Sequence, residues 1–300
     1  MFEELKELWR YREMLYTMVQ RELKIRYKNS FLGFFWSILN PLITVAVMTV
    51  VFKYIEQNPM PNLAAYILAA YLPYMFFQLA LLDSAQSVLN GLPLAKKIYF
   101  PREILPLTMA ISNFIHFVLS LLVFFVYLLT IMFLFPGKSP FNLLSLYLPI
   151  FLVINFALVT GLSFIISALN TFYEDVKYLV AVCLYLLFFI LPIMYFAERV
   201  KNAPLIHAHP WIYSLYMANP MASFAVIYRD TLVAQPKVVL VHPAINVVTS
   251  HGSVLIPPVS YPTIPLDWGN VLLCAVLSFA VLIFGYSFFN RLKWKFVERP

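Results

Sequence analysis

The chain has 300 residues, 62% of them hydrophobic and only 12% charged, with a mean hydropathy of +0.81 and a formal net charge of +7. That balance excludes an ordinary water-soluble domain. The positive excess lies beside apolar stretches, where anionic lipid accounts for it, and no nucleic-acid module is visible, so nucleic acid is not an expected partner.

Residues 1–30 are predicted to form an amphipathic helix. Leu5, Leu8, Tyr11, Leu15, Met18, Val19 and Leu23 recur at helical spacing, interrupted by Arg12 and Glu22. The segment is too charged for a cleavable secretory signal. Such a helix either lies along the inner membrane surface or stands in solvent and tethers the first span.

Residues 31–300 hold six apolar stretches: Phe31–Ile55, Leu63–Asn90, Ile104–Phe135, Asn142–Leu169, Lys177–Ala197 and Gly269–Phe289. A hydrocarbon core roughly 30 Å thick takes about 20 helical residues. The stretches are continuously apolar rather than alternating, which argues for helices and against barrel strands. The expected fold class is therefore all-α integral membrane with six transmembrane helices. Fifteen of the 21 Lys and Arg fall on one side of this arrangement, which places both termini in the cytoplasm.

Polar residues inside these spans are few: Asn40, Asp83, Asn113, His116 and Asn155. One acid and one histidine are a poor relay for a proton-coupled carrier, and His116 reads as a neutral ring hydrogen-bonded to a neighbouring helix in preference to a proton carrier. Lys53 sits near the outer boundary, where it can snorkel. Tyr66, Tyr71 and Tyr74 would suit the lining of a sugar passage, although Tyr also collects at membrane interfaces in general. Cys183 and Cys274 read as packing residues.

The loops carry more. Gly91–Glu103 is a charged segment between Pro93 and Pro101 with room for a turn or two of helix, and it contains Lys96, Lys97, Arg102 and Glu103. The second inner loop, Asn170–Lys177, offers Thr171 as a cap for a helix whose first turn holds Glu174 and Asp175. Both read either as levers or as polar turns that satisfy helix ends. Gly137-Lys138-Ser139 lacks the first glycine of a phosphate-binding loop, having Met132 in its place, so nucleotide hydrolysis is expected in another chain.

The outer loop 198–268 is too long to be structureless. Its segments Trp211–Met217 and Met221–Val233 are apolar but too short to cross, and they either dip into the membrane or rest on the bundle. Residues 236–265 are rich in Val and Pro, with a turn signal at 250–253, and short strands are predicted there. His207 and His209, with Glu198 nearby, make a poor constellation for a membrane-bound enzyme.

At these positions the chain resembles the membrane subunits of ABC-2 type polysaccharide exporters, which carry O-antigen, capsule or teichoic acid chains. The resemblance rests on Arg21-Glu22-Leu23-Lys24, Arg26-Tyr27, Ser30, Leu32-Gly33, Trp36 and Pro41. It continues through Phe100-Pro101-Arg102-Glu103-Ile104-Leu105-Pro106, Tyr173-Glu174-Asp175-Val176, Leu191-Pro192-Ile193-Met194-Tyr195, Asn219-Pro220-Met221 and Arg229. It implies a cytoplasmic interface helix carrying Arg21, Lys24 and Arg26. It also implies two coupling loops, with Lys96, Lys97, Arg102, Glu103, Tyr173, Glu174 and Asp175 facing an ATPase subunit. Short outer helices with Trp211, Asn219, Pro220 and Arg229 would form a gate. Glu174 departs from the pattern, since the family often has a basic residue there.

The implied protein is a permease of the bacterial inner membrane. It would pair with a second copy of itself and with two ABC ATPase subunits that bind ATP and Mg, and would move a lipid-linked glycan. It would hold no cofactor and have no catalytic or metal site of its own. Export of a drug or small lipid, or proton-coupled transport, are the alternative functions.

Overall fold

A computed structural model of the chain describes residues 2–27, 35–55, 62–134, 143–234, 238–242, 245–249, 252–256 and 259–297. The Gly137-Lys138-Ser139 turn, Ser30 and Leu32-Gly33 lie outside the described residues.

The amino-terminal segment is two helices, α1 (Phe2–Arg10) and α2 (Arg12–Tyr27), broken at Tyr11. Next come α3 (Phe35–Val50), which runs into a π turn (Val51–Ile55), then α4 (Leu63–Ala95) and α5 (Ile104–Leu134). A 3-10 turn (Leu143–Tyr147) leads into α6 (Leu148–Phe172), and α7 (Val176–Ile190) follows. The long loop contains α8 (Ala197–Lys201), α9 (Pro204–Ala208), α10 (Trp211–Ala218) and α11 (Pro220–Leu232). Four strands come after these: β1 (Val238–His242), β2 (Ile245–Thr249), β3 (Gly252–Ile256) and β4 (Val259–Pro262). Then follow α12 (Trp268–Leu292) and a 3-10 turn (Lys293–Val297).

Among the described residues, four helices are long and apolar enough to cross a membrane, namely α4, α5, α6 with its leading turn, and α12 with its trailing turn. The first and fifth predicted spans correspond to shorter apolar helices. The fifth was expected to reach Ala197, but α7 has 15 residues, or about 22 Å of helix at 1.5 Å per residue. Its end is set by Pro192, which pushes Leu191 into an extended conformation (φ −73°, ψ 147°). The opposite happens in α4. That helix runs through Pro93 to Ala95, and Lys96 N–H still bonds Leu92 C=O at 2.9 Å. Pro93 has no N–H to give the Leu89 carbonyl, so the helix loses one bond there and still closes its last turn. The expected separate stub between the two prolines does not form: α4 ends at Ala95, and Lys96–Phe100 is turn and irregular chain.

The core is built around α4. It packs against α5, α6, α11, α3 and α7, and most of its faces are buried. Helices α6 and α12 form the other close pair. Their backbones touch at Gly161 and Gly285, where a β-carbon on Gly161 would lie 2.6 Å from the Leu282 backbone and one on Gly285 would strike the carbonyl of Gly161. Small residues permit this approach where lipid gives no hydrophobic drive to associate. Helix α7 buries little beyond Val180 and Leu184, leaving Tyr178, Val182, Tyr185, Leu186 and Phe189 exposed.

The apolar stripe of the amino-terminal helices is used within the protein. Leu8, Tyr11, Met14, Leu15 and Met18 pack on Phe100, Ile104 and Leu105, so the stripe caps the junction of α4 and α5. The predicted strands are present as nested antiparallel pairs, β2 with β3 inside and β1 with β4 outside, with a register shift between Leu240 and His242.

Gly285→Ala is expected to force α12 off α6 and to abolish a monodisperse detergent-solubilised species. Gly269→Ala, where the nearest atom is the Asp267 side chain, is expected to stay within about 1 kcal/mol of the parent. Size-exclusion profiles and thermal melts of the two variants distinguish these outcomes.

Candidate functional site

The loops after α4 and after α6, helix α1 and the turn Lys293–Val297 gather at one end of the bundle. In the first loop, Lys96, Lys97, Ile98 and Tyr99 are exposed after the end of α4. The Tyr99 hydroxyl donates to Glu7 Oε1 at 3.0 Å, and that bond to a carboxylate pushes the phenol's pKa up. Phe100 then turns inward into the cluster under α1 and α2.

Of the two loop residues expected in an ATPase contact, Glu103 is buried and Arg102 is half-buried. Glu103 is 2% exposed, and its Oε1 accepts from Lys293 Nζ at 2.6 Å. Arg102 donates to the Lys293 carbonyl, and burial lowers the pKa of its guanidinium. Lys293 also lies 3.6 Å from Glu4, which accepts from Asn290 Nδ2 at 3.0 Å.

In the second loop Tyr173, Glu174 and Asp175 are exposed. Thr171 is not the cap. It is buried in α6 and donates to the Ser167 carbonyl at 2.7 Å, while Asn170 Oδ1 accepts from Lys177 N–H at 3.0 Å. Glu174 and Asp175 precede α7 rather than forming its first turn. Phe172, at the end of α6, packs its ring on Phe296 at 5.6 Å.

The amino-terminal helices join the spans at a second point. Arg21 and Lys24 are exposed, but Arg26 reaches the bundle. Its Nη2 meets Asp83 Oδ2 at 2.5 Å and its Nη1 donates to Asn113 Oδ1 at 3.0 Å, while Asn113 Nδ2 donates to Asp83 Oδ2 at 2.8 Å. Beside this clasp a cleft of about 230 Å³ opens toward α3, bounded by Trp36, Asn40, Phe76, Asn113 and His116. A second hollow of about 260 Å³ continues from Arg26 past Glu22, Asp83, Gln86 and Asn90. Amide and imidazole groups beside aromatic rings suit a hydroxylated ring better than a purely apolar one.

Toward the first turns of α4, motifs distant in sequence converge on Arg229, which is 2% exposed in α11. Its guanidinium lies 3.9 Å from the Tyr66 ring centroid. Its Nε donates to the Tyr66 carbonyl at 3.2 Å, Nη2 to Ile193 at 2.5 Å and Nη1 to Tyr195 at 3.3 Å. The break after α7 thus frees carbonyls, and Arg229 supplies their donors. Pro220 opens α11, and Asn219 caps it by accepting from Met221 N–H at 3.0 Å. Helix α11 is buried along most of its length, so it belongs to the bundle rather than resting on its surface. Trp211 is exposed.

The three tyrosines offered as a passage lining are mostly interior to this chain. Tyr66 and Tyr74 are buried, with the Tyr74 hydroxyl donating to the Leu184 carbonyl, and the half-buried Tyr71 packs its ring on Phe188. Sequence reasoning missed Lys293, Phe296, Glu4 and Asn290. Their only visible signal was a basic stretch after the last span, read as an orientation cue.

Four long apolar helices in one bundle, joined by short exposed loops, define a multi-pass membrane protein. The model of the ABC-2 type transporter family matches residues 13–233. The chain belongs to that family. It is 30% identical over 225 residues to the O-antigen export system permease protein RfbA of Myxococcus xanthus, a match covering 75% of this chain and 82% of that relative. A protein of the same name from Klebsiella pneumoniae is 25% identical over 286 residues, covering 95% of this chain and 94% of the relative.

Arg229→Met would strip a charged donor from three buried carbonyls, at an expected cost of about 2–4 kcal/mol. Trp211→Ala should change stability by less than about 0.5 kcal/mol. Thermal melts of the purified protein in detergent test both.

Proposed function

We propose that this protein is the transmembrane subunit of an ATP-driven exporter that moves a lipid-linked polysaccharide of the O-antigen type across the bacterial inner membrane. The family match and the O-antigen export named in both relatives support that substrate class. In this reading α3 and α7 complete six crossings, and both termini are cytoplasmic, in line with the basic residues gathered at that end. Two copies form the pathway. Helix α7, with most of its surface unburied, suits contact with a second copy. ATP and Mg bind two partner ATPase subunits.

The observation that carries this reading is the pair of exposed inner loops. Lys96, Lys97 and Tyr99 in one, with Tyr173, Glu174 and Asp175 in the other, project from the end where both termini lie. An ATPase subunit seated there would grip both. The gate reading extends to Asn219-Pro220 and Arg229, with the Arg229 clamp holding α11 against α4. A proton-coupled carrier has less support, because Asp83 is engaged by Arg26 and Asn113.

Co-purification with the ATPase encoded alongside tests the reading. Lys96→Glu/Lys97→Glu is expected to weaken association about tenfold or more, as charge repulsion at a docking site does. ATP hydrolysis by the unaltered complex is expected to respond to lipid-linked glycan. An isolated subunit that moves glycan or hydrolyses ATP unaided would overturn the proposal.

A further inference from the structure

We propose that the carboxy-terminal turn, Lys293–Val297, is a strut that locks the two inner loops into one body, with Lys293 and Phe296 as positioning residues for energy coupling. The inference rests on the preceding reading that these loops receive the ATPase subunits.

In a 3-10 turn, residues three apart lie on the same side. Lys293 and Phe296 are so spaced, and both are buried, while Trp294 and Lys295 between them are exposed. The buried pair points at the two loops separately. Lys293 Nζ meets Glu103 at 2.6 Å and Arg102 donates to the Lys293 carbonyl, which fixes the first loop a few residues beyond its exposed Lys96 and Tyr99. Phe296 meets Phe172 at 5.6 Å and Phe289 at 5.4 Å, which fixes the second loop one residue before exposed Tyr173. Glu4, 3.6 Å from Lys293, ties α1 to the same point.

The contacts differ in kind in a way that suits a strut. A buried ion pair is intolerant of losing one member, and an aromatic contact resists displacement by packing alone. A downward pull on either loop is therefore delivered to the other through five residues at the chain's end. Without the turn, each loop would answer its own ATPase contact, and hydrolysis would be less well converted into movement of the spans.

The test uses the full permease co-expressed with its ATPase in a strain lacking its own copy. Three quantities are read: association by co-purification, ATP hydrolysis by the purified complex, and appearance at the cell surface of the glycan that strain makes. Lys293→Met is expected to keep association and to keep hydrolysis within about twofold, but to lower surface glycan roughly five- to tenfold, the range over which residues on a coupling route act. The charge swap Glu103→Lys/Lys293→Glu, made with Glu4→Gln to remove the neighbouring repulsion, is expected to recover surface glycan to within about twofold of the parent.

Parental export by Lys293→Met, or an assembled swap variant that exports no better than Lys293→Met, would overturn the strut. Should Lys293→Met fail to accumulate, Phe296→Ala, which leaves the ion pair intact, is judged by the same criterion. Failure of the unaltered permease to associate with the ATPase at all would instead sink the coupling reading of the loops.

Discussion

Placing a charge inside a bundle that sits in lipid is costly unless a partner meets it there, and in this protein the partners come from far along the chain. Arg26 meets Asp83, Lys293 meets Glu103, and Arg229 meets the carbonyls of Tyr66, Ile193 and Tyr195. These engagements set how the helices stand relative to one another. Arg26 fixes α2 on α4 and α5, Lys293 fixes the end of α12 on the α4–α5 junction, and Arg229 fixes α11 on α4 and on the break after α7.

Their strengths are unequal, and that decides where the molecule can yield. The Arg26–Asp83 side chains are each about one-third exposed, at 33% and 34%, and a pair so solvated contributes at most about 1 kcal/mol. Lys293 and Glu103 are 10% and 2% exposed, and breaking such a pair from one side costs about 3–5 kcal/mol. The carboxy-terminal knot is therefore stiff, and the clasp between the interface helix and the spans is comparatively loose. Both hollows described above are lined by the residues of that looser clasp. Lifting α2 off α4 and α5 thus costs less than separating the carboxy-terminal turn from the loop after α4.

The same distinction explains what the sequence disclosed. Long apolar runs announced α4, α5, α6 and α12, because hydropathy alone determines which residues tolerate lipid. The loops after α4 and α6 were placed by Pro and charge, and the short helices α10 and α11 by apolar runs too short to cross. The fate of each proline was not legible. Pro93 and Pro192 look alike in sequence, yet α4 continues through the first and α7 stops at the second. What separates them is Arg229, 37 positions beyond Pro192, which engages the carbonyls freed by the break. Arg102 and Glu103 misled for a related reason. Charged residues on a short polar loop read as exposed, and only Lys293, 190 residues further on, turns Glu103 inward.

On the loop after α4, the side chains that face outward and those that anchor the loop are different residues. Here they alternate within a single short segment. Lys96, Lys97 and Tyr99 project, whereas Phe100, Glu103 and Ile104 are buried against α1, α2 and the carboxy-terminal turn. An exposed residue can change with the partner it meets at little cost to the fold, while a buried one cannot change without its distant counterpart. The loop's exposed surface and its anchorage are in this way set by separate residues, and the anchorage joins three chain segments at one point.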